Sequence, residues 1–241
     1  MTVSTMRSAN GELYYVVAGR GIPSKAILWH HGAGGETTLY APEYNQVNGR
    51  KLIDRLVAAG FTIVAADFAG ANTWGNASNQ TKITAAVNWL STIGCRTDKV
   101  GLWGTSMGFL CLAAWARNNA TKVANLAGTI PCANGQWAYD NSSSLAAAMN
   151  GAWSGNWQTN GKPTTDPLTI ASSLKPFPVR LWYASDDTVV GSTTATALAT
   201  AINSGGGSAS AVSMGTGGHT DTPLAAVNSE AWTLFFEQGS W

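Results

Sequence analysis

Short apolar runs alternate with longer amphipathic stretches along most of the chain. Leu13 to Val17, Ala26 to Trp29, Thr62 to Ala66, Val123 to Ile130, Val179 to Ala184 and Ser210 to Met214 have the length and content of strands. Lys99-Val100-Gly101-Leu102-Trp103 reads as a further, buried strand. Between them, Leu52 to Ala59, Phe109 to Ala116, Ala195 to Ile202 and Ala225 to Phe236 read as helices. Ile83 to Ile93 joins them, with Ile83, Val87 and Leu90 at helical spacing. Strands that alternate with helices predict an α/β class chain: a doubly wound, mostly parallel sheet with helices on both faces. Reactive residues then belong at the carboxyl ends of the strands.

One segment breaks the alternation. Residues 132–178 form a long insertion rich in Ala, Ser, Asn and Gly, and it carries Trp137, Tyr139, Trp153 and Trp157. Long ordered insertions in a compact domain are commonly functional. The segment is therefore expected to be a small cap or lid on a single domain spanning residues 1–241, its aromatics lining a substrate pocket. The same tryptophans would serve equally well as the core of the cap. Trp74, after the Thr62 to Ala66 strand, is open to the same two readings.

Gly104-Thr105-Ser106-Met107-Gly108 lies between a strand and an apolar helix. A serine at such a turn is held in a strained backbone conformation with its Oγ above the sheet. Flanking glycines are wanted because a Cβ at either position would strike neighbouring backbone. A lone serine is a poor nucleophile, so a base, an orienting acid and an oxyanion site are needed as well. The chain has three histidines: His30, His31 and His219. The first two precede Gly32-Ala33-Gly34-Gly35, a turn of small residues that lets backbone N–H groups come close to a substrate oxygen. For the acid, Asp186 and Asp187 compete at the end of the Val179 to Ala184 strand.

In order along the chain, His30-His31-Gly32-Ala33-Gly34-Gly35, Asp67-Phe68-Ala69-Gly70, the Ser106 motif, and Ala184-Ser185-Asp186-Asp187-Thr188-Val189-Val190 with Gly218-His219 resemble the α/β-hydrolase superfamily. They are most similar to its small serine esterases and dienelactone-hydrolase-like members. The resemblance covers roughly residues 25–236 and implies the α/β-hydrolase fold and hydrolysis of carboxylic esters, with lactones or amides as alternatives. It implies Ser106 as nucleophile, His219 as base because the base follows the acid in chain order, and the backbone N–H groups of Ala33 and Met107 as oxyanion donors. The family's Gly-x-x-Asp-x-x-Val register places the acid on Asp187, with Ala184 where glycine is usual and Asp186 as runner-up. Asp67 is expected to hold its loop rather than react. His31, Trp74, Trp137, Trp153 and Trp157 are the candidate pocket residues. Phe109 and Gly191 depart from the usual glycine and proline, which bears on pocket shape.

Charged residues make up 11% of the 241 residues and the formal net charge is +1, against a typical charged share of about 25%. No basic patch or acidic run is present to attract nucleic acid or an anionic membrane. The expected partner is a small-molecule ester, or a lipid or polymer ester. No metal-ligand spacing and no phosphate-binding glycine motif occurs, and the chemistry calls for no cofactor. Cys95, Cys111 and Cys132 have no regular spacing, and Cys111 reads as a buried small hydrophobe. Met1 to Arg7 lacks the basic start and apolar core of a signal peptide, and no apolar run approaches a membrane span. Cytoplasm is thus the default expectation, with a virion-associated or extracellular location as the alternative. The low-charge, Trp- and Asn-rich texture is also similar to phage tail and other virion proteins, which makes a non-catalytic virion module the alternative of a different class.

Overall fold

The computed structural model describes residues 3–9, 11–18, 25–35 and 47–241. Among these residues, eight strands form a single sheet in the order β1-β2-β4-β3-β5-β6-β7-β8. They are β1 (Val3–Ala9), β2 (Glu12–Ala18), β3 (Lys25–His30), β4 (Phe61–Ala65), β5 (Val100–Thr105), β6 (Val123–Thr129), β7 (Val179–Tyr183) and β8 (Ala209–Ser213). β2 runs against both neighbours, and every pairing from β4 to β8 is parallel. The main helices are α1 (Val47–Ala58), α2 (Ala77–Trp89), α3 (Met107–Asn118), α8 (Thr194–Ser204) and α9 (Ser229–Glu237). Residues 132–178 contribute α4 (Gly135–Asn141), α5 (Ser143–Ala152), α6 (Trp157–Asn160) and α7 (Lys162–Thr165), followed by a 3₁₀ turn at Ala171–Leu174.

Alternation along each strand feeds two cores. In β3, Ala26 and Leu28 join the core on the α2, α3 and α8 side, while Ile27 and Trp29 join the core on the α1 and α9 side. This is the period-two projection of side chains from a pleated strand. In the second core Trp103 and Trp182 meet Trp232 of α9 edge-to-face, with ring centroids 4.8 and 4.6 Å apart. α3 has no wet face: every residue from Met107 to Ala116 is buried, between the sheet and the α4–α7 segment. Its continuous apolar run follows from that position.

Few charges are available to start helices, and amide side chains do it instead. Asn76, Asn134, Asn156 and Asn228 cap α2, α4, α6 and α9, and Ser142 caps α5, each accepting backbone N–H bonds of the first turn. The Asn-rich texture thus has a direct structural use. It also explains two boundaries that periodicity misplaces. α2 begins at Ala77 behind its Asn76 cap, well before Ile83, and ends in a 3₁₀ turn at Leu90–Ile93. The expected single helix from Ala225 to Phe236 is broken, because Thr222–Ala226 is a 3₁₀ turn and Asn228 starts α9 afresh. β1 carries no strong apolar alternation and does not show in the sequence pattern. Pairing with β2 along its whole length supplies its order.

The tightest point is the β5–α3 junction. A Cβ on Gly104 would collide with the backbone of Phe109, and one on Gly108 with the carbonyls of His30 and His31. These are backbone obstacles, which a change of rotamer cannot relieve. Gly104→Ala and Gly108→Ala are each expected to lower unfolding stability by roughly 3 kcal/mol or more, read as a shift in the denaturant midpoint.

Candidate active site

Ser106 occupies the junction with φ 52° and ψ −119°, a left-handed conformation that non-glycine residues adopt only under constraint. The constraint is visible. Its N–H donates to the Thr129 carbonyl at 3.2 Å, and its carbonyl accepts from Phe109 and Cys132, each at 3.1 Å. Strand, helix and the chain after β6 therefore all fix the same peptide. The Oγ is turned above the carboxyl ends of the strands, with Ser106 8% exposed.

His219 reaches Ser106 from the loop after β8. Its Nδ1–H donates to Asp187 Oδ2 at 2.7 Å, which leaves Nε2 as the acceptor of the Ser106 hydroxyl at 2.8 Å. The tautomer follows because a carboxylate can only accept. Asp187 Oδ1 in turn accepts the N–H groups of Val189 and Val190 at 2.9 and 3.1 Å. Burial opposes ionisation of Asp187, but the hydrogen bond and charge of His219, with those two N–H groups, outweigh it and hold the carboxyl below its ordinary value.

Asp186 points elsewhere. Its carboxylate accepts from Gly217 at 2.9 Å and Gly218 at 2.8 Å, the two residues before His219. These backbone bonds keep its carboxyl below the usual range. Asp221, two residues beyond His219, accepts from the Asn48 and Gly49 N–H groups at 3.3 Å in the first turn of α1. The glycine-rich histidine loop is thus held at both ends.

The Gly32 backbone lies beside Ser106, since a Cβ there would sit 3.3 Å from Ser106 Cβ. Among the described residues the backbone N–H of Ala33 has no partner. Met107 is the first residue of α3, and its N–H precedes the intrahelical ladder. The two histidines before Gly32 hold this loop in place. His30 Nδ1–H donates to the His31 carbonyl at 3.0 Å, and Asn79 donates to His30 Nε2 at 2.9 Å. Complete burial drives the His30 pKa well down, so it is neutral. The ring nitrogens of His31 lie 2.7 Å from the Gly32 carbonyl and 3.1 Å from that of Asp67. Asp67 thus meets His31 through its backbone carbonyl.

A cavity of about 260 Å³ opens over Ser106 and His219. Apolar Ile130, Leu145, Val189 and Leu224 form part of its wall, and Gly32, Ala33, Thr105, Thr220 and Asp221 also line it among the described residues. None of the expected aromatic pocket residues lies in that wall. Trp74 and Trp157 are buried in the core on the α3 side. Trp153 packs against the same core and donates its Nε1–H to the Trp74 carbonyl at 3.0 Å. Trp137 lies against Gly191, and His31 is 1% exposed. The pocket expectation for these five residues is corrected accordingly for this cavity: Trp153 and Trp157 pack with the core on the α3 side, and Trp137 is half-buried beside Gly191. From that segment, Leu145 of α5 reaches the cavity. Leu145 was missed because it is a lone aliphatic residue in an Ala-rich stretch without a motif; Val189 and Thr105 lay inside motifs singled out for other residues.

Burial pushes the Cys111 thiol up to about 12 and raises Cys132 well above its ordinary value, so neither supplies a thiolate. Among the described residues no group of three or more His, Cys, Asp or Glu converges as metal ligands would. No described helix is long and apolar enough to cross a membrane.

The chain has the α/β-hydrolase fold. Est1E from Butyrivibrio proteoclasticus superposes with TM-score 0.71 at 15% identity, covering 98% of each chain. Carboxyl esterase 2 from the mycorrhizal fungus Tuber melanosporum gives TM-score 0.72 at 11% identity over 99% of this chain and 88% of that one. A putative dipeptidyl aminopeptidase IV from Bacteroides ovatus gives 0.72 at 13% identity over 99% of this chain and 36% of that one. No protein-family model and no curated protein matches the sequence.

Trp157 is 0% exposed and stacks on Tyr139 with ring centroids 5.6 Å apart. Trp157→Ala is expected to cost about 3–5 kcal/mol of stability. Because the residue does not face the cavity, relative rates on short and long esters should stay unchanged; a melting curve beside a chain-length series checks both.

Proposed function

We propose that the protein is a serine hydrolase of carboxylic esters. The observation that carries this is the unbroken line Asp187–His219–Ser106, with 2.7 and 2.8 Å links, ending on a strained serine at the mouth of a cavity. In this reading Ser106 Oγ attacks the ester carbonyl while His219 Nε2 takes its proton. His219 then returns the proton to the departing alcohol. Asp187 keeps Nδ1 protonated and stabilises the imidazolium that forms. The N–H groups of Ala33 and Met107 receive the charge that develops on the carbonyl oxygen. Water enters by the same route in reverse and frees the acyl group from Ser106. The size of the cavity, about 260 Å³, and its apolar wall support a small-molecule ester as substrate. Lactones and amides would engage the same atoms, and a substrate panel separates them.

A fluorophosphonate probe should label the protein on Ser106, located by peptide mass spectrometry. Ser106→Ala should abolish labelling and lower kcat on nitrophenyl esters by on the order of 10³- to 10⁶-fold. An adduct on another residue, or a fully active Ser106→Ala protein, would refute the assignment.

The two aspartates differ sharply in what they hold. Asp187→Asn is expected to lower kcat on the order of 10⁴-fold by leaving His219 in the wrong tautomer. Asp186→Asn retains an oxygen for the Gly217 and Gly218 N–H groups and should cost far less. Steady-state kinetics of both variants on one ester decides between them, and a reversed order would make Asp186 the acid.

A further inference from the structure

Beneath Ser106, four side chains from three adjacent strands form a closed polar chain. Trp29 Nε1–H donates to Thr105 Oγ1 at 3.2 Å, Trp103 Nε1–H donates to Thr129 Oγ1 at 3.0 Å, and the two threonine hydroxyls lie 3.0 Å apart. Indole nitrogens can only donate. That leaves two hydroxyl hydrogens and one threonine–threonine link to place.

The direction of that link follows from burial. Thr129 is 0% exposed, and Thr105 Oγ1 is its one acceptor among the described residues. A hydroxyl hydrogen at Thr129 aimed anywhere else would be buried and unmade, at a cost of about 1–3 kcal/mol. Thr129 therefore donates to Thr105. Thr105 now accepts twice, from Trp29 and Thr129, so both lone pairs are engaged and its own O–H is left over. Thr105 is half-buried and forms part of the cavity wall next to Ser106. The leftover hydrogen thus belongs to the one member of the chain that meets the cavity.

We infer that Thr105 is a specificity-determining residue whose hydroxyl donates to an oxygen of the substrate's acyl group. This rests on the esterase reading above. Since Thr105 can only donate, the group it recognises must be an acceptor: an ether, hydroxyl or carbonyl oxygen close to the ester carbon. The preferred substrates are then short acyl esters oxygenated near the carbonyl, with the remaining acyl carbons against Ile130, Leu145, Val189 or Leu224. Other hydroxyls of the cavity are occupied: Thr220 donates to the Gly217 carbonyl at 2.8 Å and accepts from the Thr222 N–H at 3.2 Å.

The test uses a matched pair, p-nitrophenyl methoxyacetate and p-nitrophenyl butyrate, whose acyl groups differ by an oxygen in place of a methylene. The ratio of kcat/KM values for the pair is compared between proteins, so the intrinsic reactivity of each ester cancels. Thr105→Val keeps the shape without the donor and should lower the methoxyacetate-to-butyrate ratio by roughly 2- to 10-fold, the range of one hydrogen bond. Thr105→Ser restores the donor and should restore the ratio. Should valine disturb the fold, Thr105→Cys is the second variant: its thiol can still accept weakly from Trp29 but donates poorly, and the ratio should fall in the same direction. A purely structural role, or donation to the carbonyl oxygen itself, would change both esters alike. An unchanged ratio with both esters still hydrolysed overturns the Thr105 inference and leaves the esterase reading standing. Absence of turnover and of Ser106 labelling in the unaltered protein overturns both.

Discussion

Everything at the carboxyl end of the sheet depends on the close approach of α3 to β3 and β5. Gly104 and Gly108 are the points of contact, and a methyl group at either would meet backbone rather than a movable side chain. That approach forces Ser106 into φ 52° and turns its Oγ outward. It also brings the Gly32 backbone alongside the serine and leaves the first N–H of α3 uncommitted. Strain at one residue is tolerable because three segments hydrogen-bond to its backbone and the helix behind it is buried from Met107 to Ala116. The serine is held by the fold, independently of any partner above it.

Around that fixed point the loops are arranged by carboxylates and amides. Asp186 and Asp221 hold the two ends of the histidine loop, and Asn79 holds His30, which in turn carries the Gly32 turn. Gly217 and Gly218 adopt positive φ values, 138° and 62°, so the loop has little conformational preference of its own. Without the Asp186 contacts the position of His219 would be spread over many backbone states, each ordered residue costing roughly 1–2 kcal/mol. With few charged residues in the chain, those present near the site are concentrated on backbone N–H groups. The same economy appears in the helix caps, where asparagine does what aspartate does elsewhere.

The segment between β6 and β7 is best understood as a buttress. Trp153 and Trp157 pack it against the core on the α3 side, and Asp166, which accepts the Gly135 N–H at 2.8 Å, ties its two ends together. It meets the cavity through Leu145 at the start of α5. The cavity's polar wall comes from Thr105 at the end of β5 together with Thr220 and Asp221 of the histidine loop.

Most of the strands and main helices, the parallel sheet and the glycine-flanked turn at Ser106 were legible in the residues. Each depends on patterns local to a few positions, whether alternation, glycine spacing or a motif at a strand end. The choice of Asp187 over Asp186 came from the resemblance alone, because adjacent residues on a loop differ only in where their side chains point. The structure separates them by direction, one toward His219 and one toward the backbone before it. The tryptophans went the other way: an aromatic in an insertion has the same local signature whether it faces a cavity or a core. Only contacts between segments far apart in sequence decided that these tryptophans lie outside the cavity wall and that Ile130, Leu145, Val189 and Leu224 form its apolar part instead. The polar chain from Trp29 to Thr129 was invisible for the same reason, since its members come from three strands made neighbours by the sheet.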